Sequence, residues 1–410
     1  MIIDNSKNQS FDTVKITFTG DIMCDMDEIP AYKTKTGEYD FSDIFNSCKD
    51  FFLLSDFVVG NLETPIANSE YSYERIVFNS PIEFAEAIKA NGISMVTTAN
   101  NHCLDRGVSG LTDTISNLDT VGLKHTGLNS KNIQPSGIIE KINDMKIGFL
   151  SYTYGTNACY NNHYLDKNEK WKVNLYQEQE LYNPIYRCFY NSIFCVFIRK
   201  AINYFSRRFL FHRNIFCPPY ERTEKKKQFL QRMNNDINAL KNLGAEYIIM
   251  CLHAGGQYNP HPIRKTKKII AKIAKFNLDA IITNHEHVIH YGEILSNNKI
   301  IAYSLGNFTS QRGTNKAPFD KMAEYSLLLH LYLSKDKMIV QPFNITFTIT
   351  KTISVGKNKV KTVFLFDLIK NCDDENKRKE LLFDNLKIYN LFRNSDEKEI
   401  ELKLEYPLKG

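Results

Sequence analysis

Two histidines separated by one residue, His285 and His287, follow directly after the apolar run at 279–282. Such a run is typical of a buried β-strand, so both imidazoles lie where that strand ends and can approach a common point. The spacing suits a pair of metal ligands. A chance surface pair and a structural histidine are the alternatives, so the pair gains meaning only if other strands end in complementary ligands.

Four further apolar runs end in side chains that bind metal ions, namely Asp21, Glu63, Asn101 and His253. Together with the histidine pair they suit a centre of one or two divalent ions such as Mn, Fe or Zn, because imidazole binds borderline metals and a carboxylate can bridge two ions. Such ions can hold a hydroxide and clamp a phosphoryl or acyl oxygen. The set therefore predicts metal-dependent hydrolysis.

Each of these residues also has a purely structural interpretation. Asp21 could be a turn residue or helix cap, Glu63 could pair with a base, and Asn101 and His253 could be satisfied buried polar groups. One shared site explains all of them at once, which favours the metal centre. His102, directly after Asn101, is then placed as the general acid for the leaving group.

The runs that end in these residues alternate with helical patterns, which predicts an α/β fold with a largely parallel inner sheet. In open α/β sheets ligands bind beyond the carboxyl ends of the strands, where these polar side chains fall. The predicted helices cover 83–90, 109–119, 224–243 and 263–276. After residue 325 the pattern alternates, which predicts a β-hairpin of 325–333 and 337–343.

Residues 157–222 depart from this plan, since they are rich in aromatic and basic side chains. We interpret them as a helical insertion. It is an element packed over the core or a dimer contact, a lid over the active site, or an interfacial helix that gives peripheral membrane contact through residues 185–216.

Composition narrows the class of protein. The chain has 410 residues, of which 43% are hydrophobic and 24% charged, as in ordinary globular proteins. The net charge of +6 comes without any nucleic-acid-binding signature, so we expect no nucleic acid partner. Nine cysteines without a C-x-x-C pair, no apolar leader and no run long enough to span a bilayer predict a cytoplasmic protein with reduced thiols.

The order of motifs resembles the CapA family of bacterial capsule and poly-γ-glutamate synthesis proteins, which is similar to the calcineurin-like metallophosphoesterases. The resemblance rests on Gly20-Asp21, Asn61-Leu62-Glu63-Thr64-Pro65, Asn100-Asn101-His102, His253, His285-Glu286-His287 and Ser304-Leu305-Gly306-Asn307-Phe308. It implies a metallophosphoesterase-like four-layer α/β/β/α sandwich. Part of the β-rich C-terminal segment would then belong to the second sheet.

The resemblance also implies how the ligands divide. Asp21, Glu63 and His287 would lie on one side of the metal site, Asn101, His253 and His285 on the other, and Glu63 in the centre. Asp105 would orient His102 or hold its loop. The candidates for binding substrate are Asn61, Gln257 and Asn307.

The sequence departs from the family pattern at two informative places. Met23 stands where metallophosphoesterases usually carry a histidine, so one metal is short of an imidazole, and Gln257 replaces a glutamate. We predict a CapA-like domain at 13–345 and a C-terminal extension at 346–410 that packs on it. The expected function is hydrolysis of an anionic polymer or phosphoester; the alternative is a non-catalytic capsule-assembly factor that binds an anionic polymer or capsule-synthesis proteins.

Overall fold

The computed structural model describes residues 13–24, 28–69, 77–180, 198, 225–310, 321–337 and 339–409. The strands in these ranges are β1 (Thr13–Ile22), β2 (Phe57–Leu62), β3 (Met95–Thr97), β4 (Lys124–Thr126), β5 (Ile138–Ile142), β6 (Met145–Thr153), β7 (Tyr247–His253), β8 (Ala280–Asn284), β9 (Gly292–Ile294), β10 (Ile300–Ala302), β11 (Tyr325–Asp336), β12 (Ile339–Gly356), β13 (Lys359–Phe364) and β14 (Tyr406–Pro407). The helices are α1 (Ser42–Phe45), α2 (Lys49–Phe52), α3 (Ile82–Ala90), α4 (Gly107–Val121), α5 (Ala158–Asn161), α6 (Lys225–Asn242), α7 (Arg264–Ile273), α8 (Leu365–Lys370) and α9 (Glu375–Arg393), with short 3-10 turns at Ile29–Tyr32, Asn46–Cys48, Lys170–Lys172 and Lys321–Glu324.

The strands form two sheets, and each contains a block of four parallel strands. One sheet has the order β13-β12-β11-β1-β2-β3-β4, with β14 paired to β12, and the other has the order β5-β6-β7-β8-β10-β9. Strands β1 to β4 are parallel to one another in the first sheet, where β1 is antiparallel to β11 on its other side, and β6, β7, β8 and β10 are parallel to one another in the second. The carboxyl ends of these parallel strands carry the predicted site residues.

Alternating side chains of the parallel strands enter two different cores. Val59 and Ile249 pack between the sheets, whereas Val58 packs against the helices of the first sheet and Ile248 against those of the second. Because both faces of each sheet are covered, its strands read as continuous apolar runs. The order is helices, sheet, sheet, helices, so the predicted four-layer α/β/β/α sandwich is confirmed.

The outer helices α6 and α7 pack on the second sheet, each through one apolar face. Met233, Ile237 and Leu240 of α6 are buried against the second sheet, and so are Ile269 and Ile273 of α7. The exposed face of α7 carries its lysines and arginine instead. This arrangement is the amphipathic pattern of a helix that lies on a sheet.

The predicted C-terminal hairpin is confirmed, because β11 and β12 pair antiparallel from Tyr325↔Lys351 to Asp336↔Ile339. Our assignment of this segment to the second sheet was wrong. Strand β11 pairs with β1, from Thr13↔Ser334 to Phe18↔Leu329, so the C-terminal strands extend the first sheet. Local alternation gives the strands but not the sheet that they join, since pairing is decided by contacts distant in sequence.

The predicted insertion and the predicted domain boundary stay predictions. The insertion at 157–222 is described up to Glu180, and its segment 185–216 lies outside the described residues apart from position 198. The division at 345/346 falls inside β12 and stays a prediction. No helix within the described ranges is long and apolar enough to cross a membrane, and the six cysteines in those ranges are free thiols.

Candidate metal centre

The carboxyl ends of the two sheets meet at one place, and the backbone joins them there. Asp21 at the end of β1 donates its N–H to Gly306 O at 2.9 Å, and Phe308 donates its N–H to Asp21 O at 2.8 Å. A Cβ atom at Gly20 would lie 2.1 Å from Gly306 O, so only glycine allows this approach. The first sheet and the loop after β10 are therefore in direct contact beside Asp21.

The loop after β8 carries its two histidines in left-handed backbone conformations. The φ angles are 102° at His285 and 58° at His287. Such values are uncommon for residues other than glycine and cost about 1–3 kcal/mol each, so they persist only where the surroundings hold them. Both imidazoles lie beside Glu63, where the strand ends of the two sheets meet.

Five of the predicted ligands form two overlapping groups. Glu63, His253 and His285 make one group, and Asp21, Glu63 and His287 make the other. Within each group the ligand atoms lie within 4.8 Å of one another, and all five residues are buried. The sixth, Asn101, accepts a hydrogen bond on Oδ1 from His253 Nε2 at 2.7 Å. The structure thus brings together the residues that the resemblance placed on the two sides of a metal site, and Glu63 belongs to both groups.

Glu63 is the group that most needs a cation. Its side chain is fully buried, and neither carboxylate oxygen accepts a hydrogen bond from the described part of the chain. The nearest imidazole nitrogens are His253 Nε2 at 3.4 Å and His287 Nε2 at 3.7 Å from Oε1. Burial alone would raise the pKa of Glu63, but the charges of His287 and His253 hold that pKa well below its usual value. A buried, ionised carboxylate with unused oxygen lone pairs fits a divalent ion.

The imidazoles of the two groups differ in protonation. Burial lowers the pKa of His285 to about 3, so this ring is neutral and can offer a lone pair. Burial would also lower the pKa of His287, but the nearby charge of Glu63 and the contact with Asp21 raise it to about 9. Without a metal, the His287 imidazolium supplies the positive charge between the two carboxylates.

Amide side chains orient the ligands from behind. Asn61 and Asn284 each donate an Nδ2–H to Asp21 Oδ1, at 2.7 and 2.9 Å, and Asn61 Nδ2 also lies 3.3 Å from His253 Nδ1. Asn307 Oδ1 accepts from His287 Nδ1 at 2.8 Å, which directs Nε2 of that ring towards Glu63. Partners of this kind fix the tautomer and orientation of metal ligands.

The predicted acid lies beside the ligands as part of a buried pair. His102 Nδ1 donates to Asp105 Oδ2 at 2.6 Å, and Asp105 Oδ2 also accepts the backbone N–H of Phe78 at 2.7 Å. The Phe78 ring packs on the imidazole at a centroid distance of 4.2 Å. Asp105 therefore orients His102 by a direct hydrogen bond. The role of the pair as acid stays a prediction.

The remaining candidates occupy different places. Asn61 and Asn307, predicted to bind substrate, have buried amides that contact ligand side chains. Gln257 is partly exposed, with a φ of 56°, next to Tyr258, whose ring packs on His287 at 5.2 Å. Their contacts with substrate stay predictions. Met23 packs in the apolar core of the first sheet.

Sequence reasoning missed three groups near the site. Asn284 holds Asp21, the Tyr154 ring packs 4.7 Å from the His285 ring, and Glu286, between the two histidines in the sequence, is buried. Burial raises the pKa of Glu286 to about 7. The only signal in the sequence was their position beside a predicted ligand or at the end of a strand.

The structure has two stacked sheets, and carboxylates and imidazoles lie where their strand ends meet. The resemblance to calcineurin-like metallophosphoesterases implied this architecture. Residues 15–312 match the family model described as "Bacterial capsule synthesis protein PGA_cap". The chain belongs to this family, and the prediction of CapA membership is confirmed.

Two relatives carry related descriptions. The PGA biosynthesis protein CapA of Bacillus subtilis (strain 168) is 23% identical over 330 residues, which cover 78% of this chain and 70% of the relative. The capsule biosynthesis protein CapA of Bacillus anthracis is 21% identical over 340 residues, which cover 78% of this chain and 66% of the relative. A solved structure, the calcineurin-like phosphoesterase YfkN from Bacillus subtilis, matches with a TM-score of 0.41 and 14% identity, covering 83% of this chain and 90% of that chain.

Proposed function

We propose that this protein is a metal-dependent hydrolase linked to the metabolism of capsule, poly-γ-glutamate or another cell-envelope polymer. The observation that supports this best is Glu63, a buried carboxylate shared by two potential ligand groups, with a buried histidine–aspartate pair nearby. A structural role alone does not explain a carboxylate that makes no hydrogen bond to the described residues and lies among three histidines.

The residues that would hold the metal are Glu63 with His253 and His285 on one side, and Glu63 with Asp21 and His287 on the other. Carboxylate and imidazole donors suit Mn, Fe or Zn. When bound, such an ion acts as a Lewis acid on a phosphoryl or acyl oxygen and lowers the pKa of water.

The other steps belong to this chain's own side chains. Asp105 accepts the Nδ1–H of His102 and keeps the ring in one orientation, so that Nε2 is the atom that holds or releases a proton. As the acid, Nε2 first takes up a proton from water, which makes the ring an imidazolium; the ring then gives this proton to the leaving-group oxygen or nitrogen of the substrate and returns to its neutral form. The buried position of both residues keeps competing water away from the transfer.

The substrate class is a phosphoester or a γ-glutamyl amide within an anionic polymer. The relatives are described as proteins of PGA biosynthesis and of capsule biosynthesis, and we extend such a role to the present chain as part of the proposal. Capsule-synthesis proteins are the proposed partners, and the cytoplasm or the membrane surface is the proposed location.

Metal analysis of the purified protein, together with a screen of phosphoesters and γ-glutamyl peptides, tests the proposal. We expect stoichiometric divalent metal and a hydrolytic activity that His253→Ala and His285→Ala abolish. Protein without bound metal, with any activity unchanged in both variants, would overturn it.

A second function, a non-catalytic capsule-assembly factor, is favoured by one observation. Met23, which stands where the resemblance implies a histidine, packs in the apolar core of the first sheet and offers no nitrogen ligand. Such a factor would bind a polyanion tightly without turnover at every metal loading. Equilibrium binding and product analysis on the same polymer separate the two functions.

A further inference from the structure

The loop after β6 reaches both members of the histidine–aspartate pair. Asn157 Nδ2 lies 3.5 Å from His102 Nε2, and Asn161 Nδ2 donates to Asp105 Oδ1 at 3.1 Å. Asn161 also donates to Thr156 O at 2.7 Å, which ties the two ends of the loop together. One short segment therefore contacts the pair from both sides.

A buried carboxylate anchors this loop. Glu180 is 1% exposed and accepts the backbone N–H groups of Thr156 at 3.3 Å, Asn157 at 3.1 Å and Ala158 at 3.4 Å. A Cβ atom at Gly155 would lie 2.6 Å from Glu180 Oε1, so the carboxylate fits directly against the backbone. Burial raises the pKa of Glu180, and these backbone donors counteract that rise.

The anchored backbone has a conformation that needs support. Asn157 has a φ of 53°, in the left-handed region, where asparagine is tolerated better than most residues. The neighbouring Gln179 donates to Thr156 Oγ1 at 2.5 Å and accepts the N–H of Leu165 at 2.8 Å. The segment at 179–180 thus fixes the loop through both side chains and backbone.

The hydrogen bonds determine the tautomer of His102. Asp105 accepts from Phe78 and Asn161, so its carboxylate is an acceptor and His102 must donate from Nδ1. In the neutral ring the lone pair is then on Nε2, facing the Nδ2–H group of Asn157. The loop contacts the very atom that the proposed function uses for proton transfer.

We infer that Glu180 is a positioning residue, which holds Asn157 and Asn161 so that His102 Nε2 and Asp105 keep their working geometry. The inference rests on the proposed function only for its effect on turnover. The effect on the His102 ring is independent of any substrate.

The test uses Glu180→Gln, Asn157→Gly and the control Glu178→Gln in the full chain. Glutamine at 180 would face three backbone donors with an amide group, and glycine at 157 keeps the left-handed backbone while it removes the amide. Glu178 lies two residues away and pairs with Lys170 instead. The first readout is the ¹⁵N spectrum of histidine-labelled protein, with the His102 signals assigned through His102→Gln.

We expect the His102 Nε2 resonance to move towards the position of a pyridine-type nitrogen without a hydrogen bond in Glu180→Gln and Asn157→Gly, but not in Glu178→Gln. With an active substrate, kcat should fall about tenfold or more while KM changes by less than about twofold. An unchanged His102 spectrum in Asn157→Gly, or in a folded Glu180→Gln, overturns the inference. Shifted spectra in a protein without hydrolase activity uphold the positioning role and reject the proposed function.

Discussion

Replacing Glu63 with glutamine should remove metal binding from both ligand groups at once. Glu63 belongs to each group, whereas Asp21 and His253 belong to one each. The amide keeps the shape of the side chain but removes the charge and one acceptor oxygen. Wild-type protein should therefore bind up to two ions, Asp21→Asn and His253→Ala should each lose one, and Glu63→Gln should lose both.

The size of the effect on stability follows from linkage. An ion that binds only the folded state adds about 2.7 kcal/mol at a concentration a hundred times its Kd, so two ions that each reach this ratio add about 5 kcal/mol. Loss of the Glu63 charge also destabilises the metal-free protein, because a buried partner of His253 and His287 disappears, at about 3–5 kcal/mol. For each protein, the unfolding free energy without metal is subtracted from the value with metal, which removes this second effect. The resulting metal-induced gain in stability is the quantity to compare between proteins.

Urea unfolding with Mn²⁺ and with a chelator measures that difference, and elemental analysis of dialysed protein gives the stoichiometry. Glu246→Gln is a suitable control, since this carboxylate pairs with Lys335 at 2.7 Å immediately before the amino end of β7, away from the ligands. It should keep the full metal-induced gain. If Glu63→Gln retained more than half of the wild-type gain, the reasoning from shared ligands would be refuted.

Three other changes have expected results. Gly20→Ala should lower the unfolding temperature and weaken metal binding together, because its Cβ would meet Gly306 O at 2.1 Å. Thermal melts with and without metal check this prediction. A melt like that of the wild type would contradict it. Asn307→Ala should weaken metal affinity by about 10- to 100-fold, measured by competition with a chelating dye, since it removes the acceptor that orients His287. Burial lowers the pKa of His330 to about 3, so the folded state keeps this ring neutral while the unfolded chain protonates it near its ordinary value of 6.5. Stability linked to His330 is thus present above that value and lost as the pH falls, by about 1.4 kcal/mol per pH unit. When the free energy of unfolding from urea titrations is plotted against pH between about pH 6 and pH 4, His330→Gln should show a shallower slope than the wild type. Equal slopes in the two proteins would disprove this.

The site was more predictable from the sequence than the sheets were. Glu63, His253 and His285 could be found because each lies at or just after the end of a short strand that contains an apolar run, and parallel strands bring their carboxyl ends to one edge. The same local pattern fits one large sheet or two stacked ones. The place of the C-terminal strands in the first sheet depends on the pairing of β1 with β11, which are more than 300 residues apart, and no local pattern contains it.

The polar groups that support the His102–Asp105 pair could not be found from the sequence for a different reason. Asn157 and Glu180 lie on loops without periodicity, and their meaning comes only from the atoms they contact. The C-terminal helix α9 was missed although Asp374 caps it by accepting from the N–H groups of Asn376 and Lys377. Its sequence is rich in charged residues, so the narrow apolar face that includes Leu381 and Ile388 was not recognised.

Because the ligands are divided between the two sheets, the complete site exists only when both sheets have formed. The first sheet supplies Asp21 and Glu63, which are carboxylates, and the second supplies His253, His285 and His287, which are imidazoles. The chain builds these layers in turn and then returns to close the first with β11. A nascent or truncated chain with only one layer has only part of the ligand set. Metal binding by either ligand group therefore requires both sheets, so an incomplete chain is expected to lack the proposed centre.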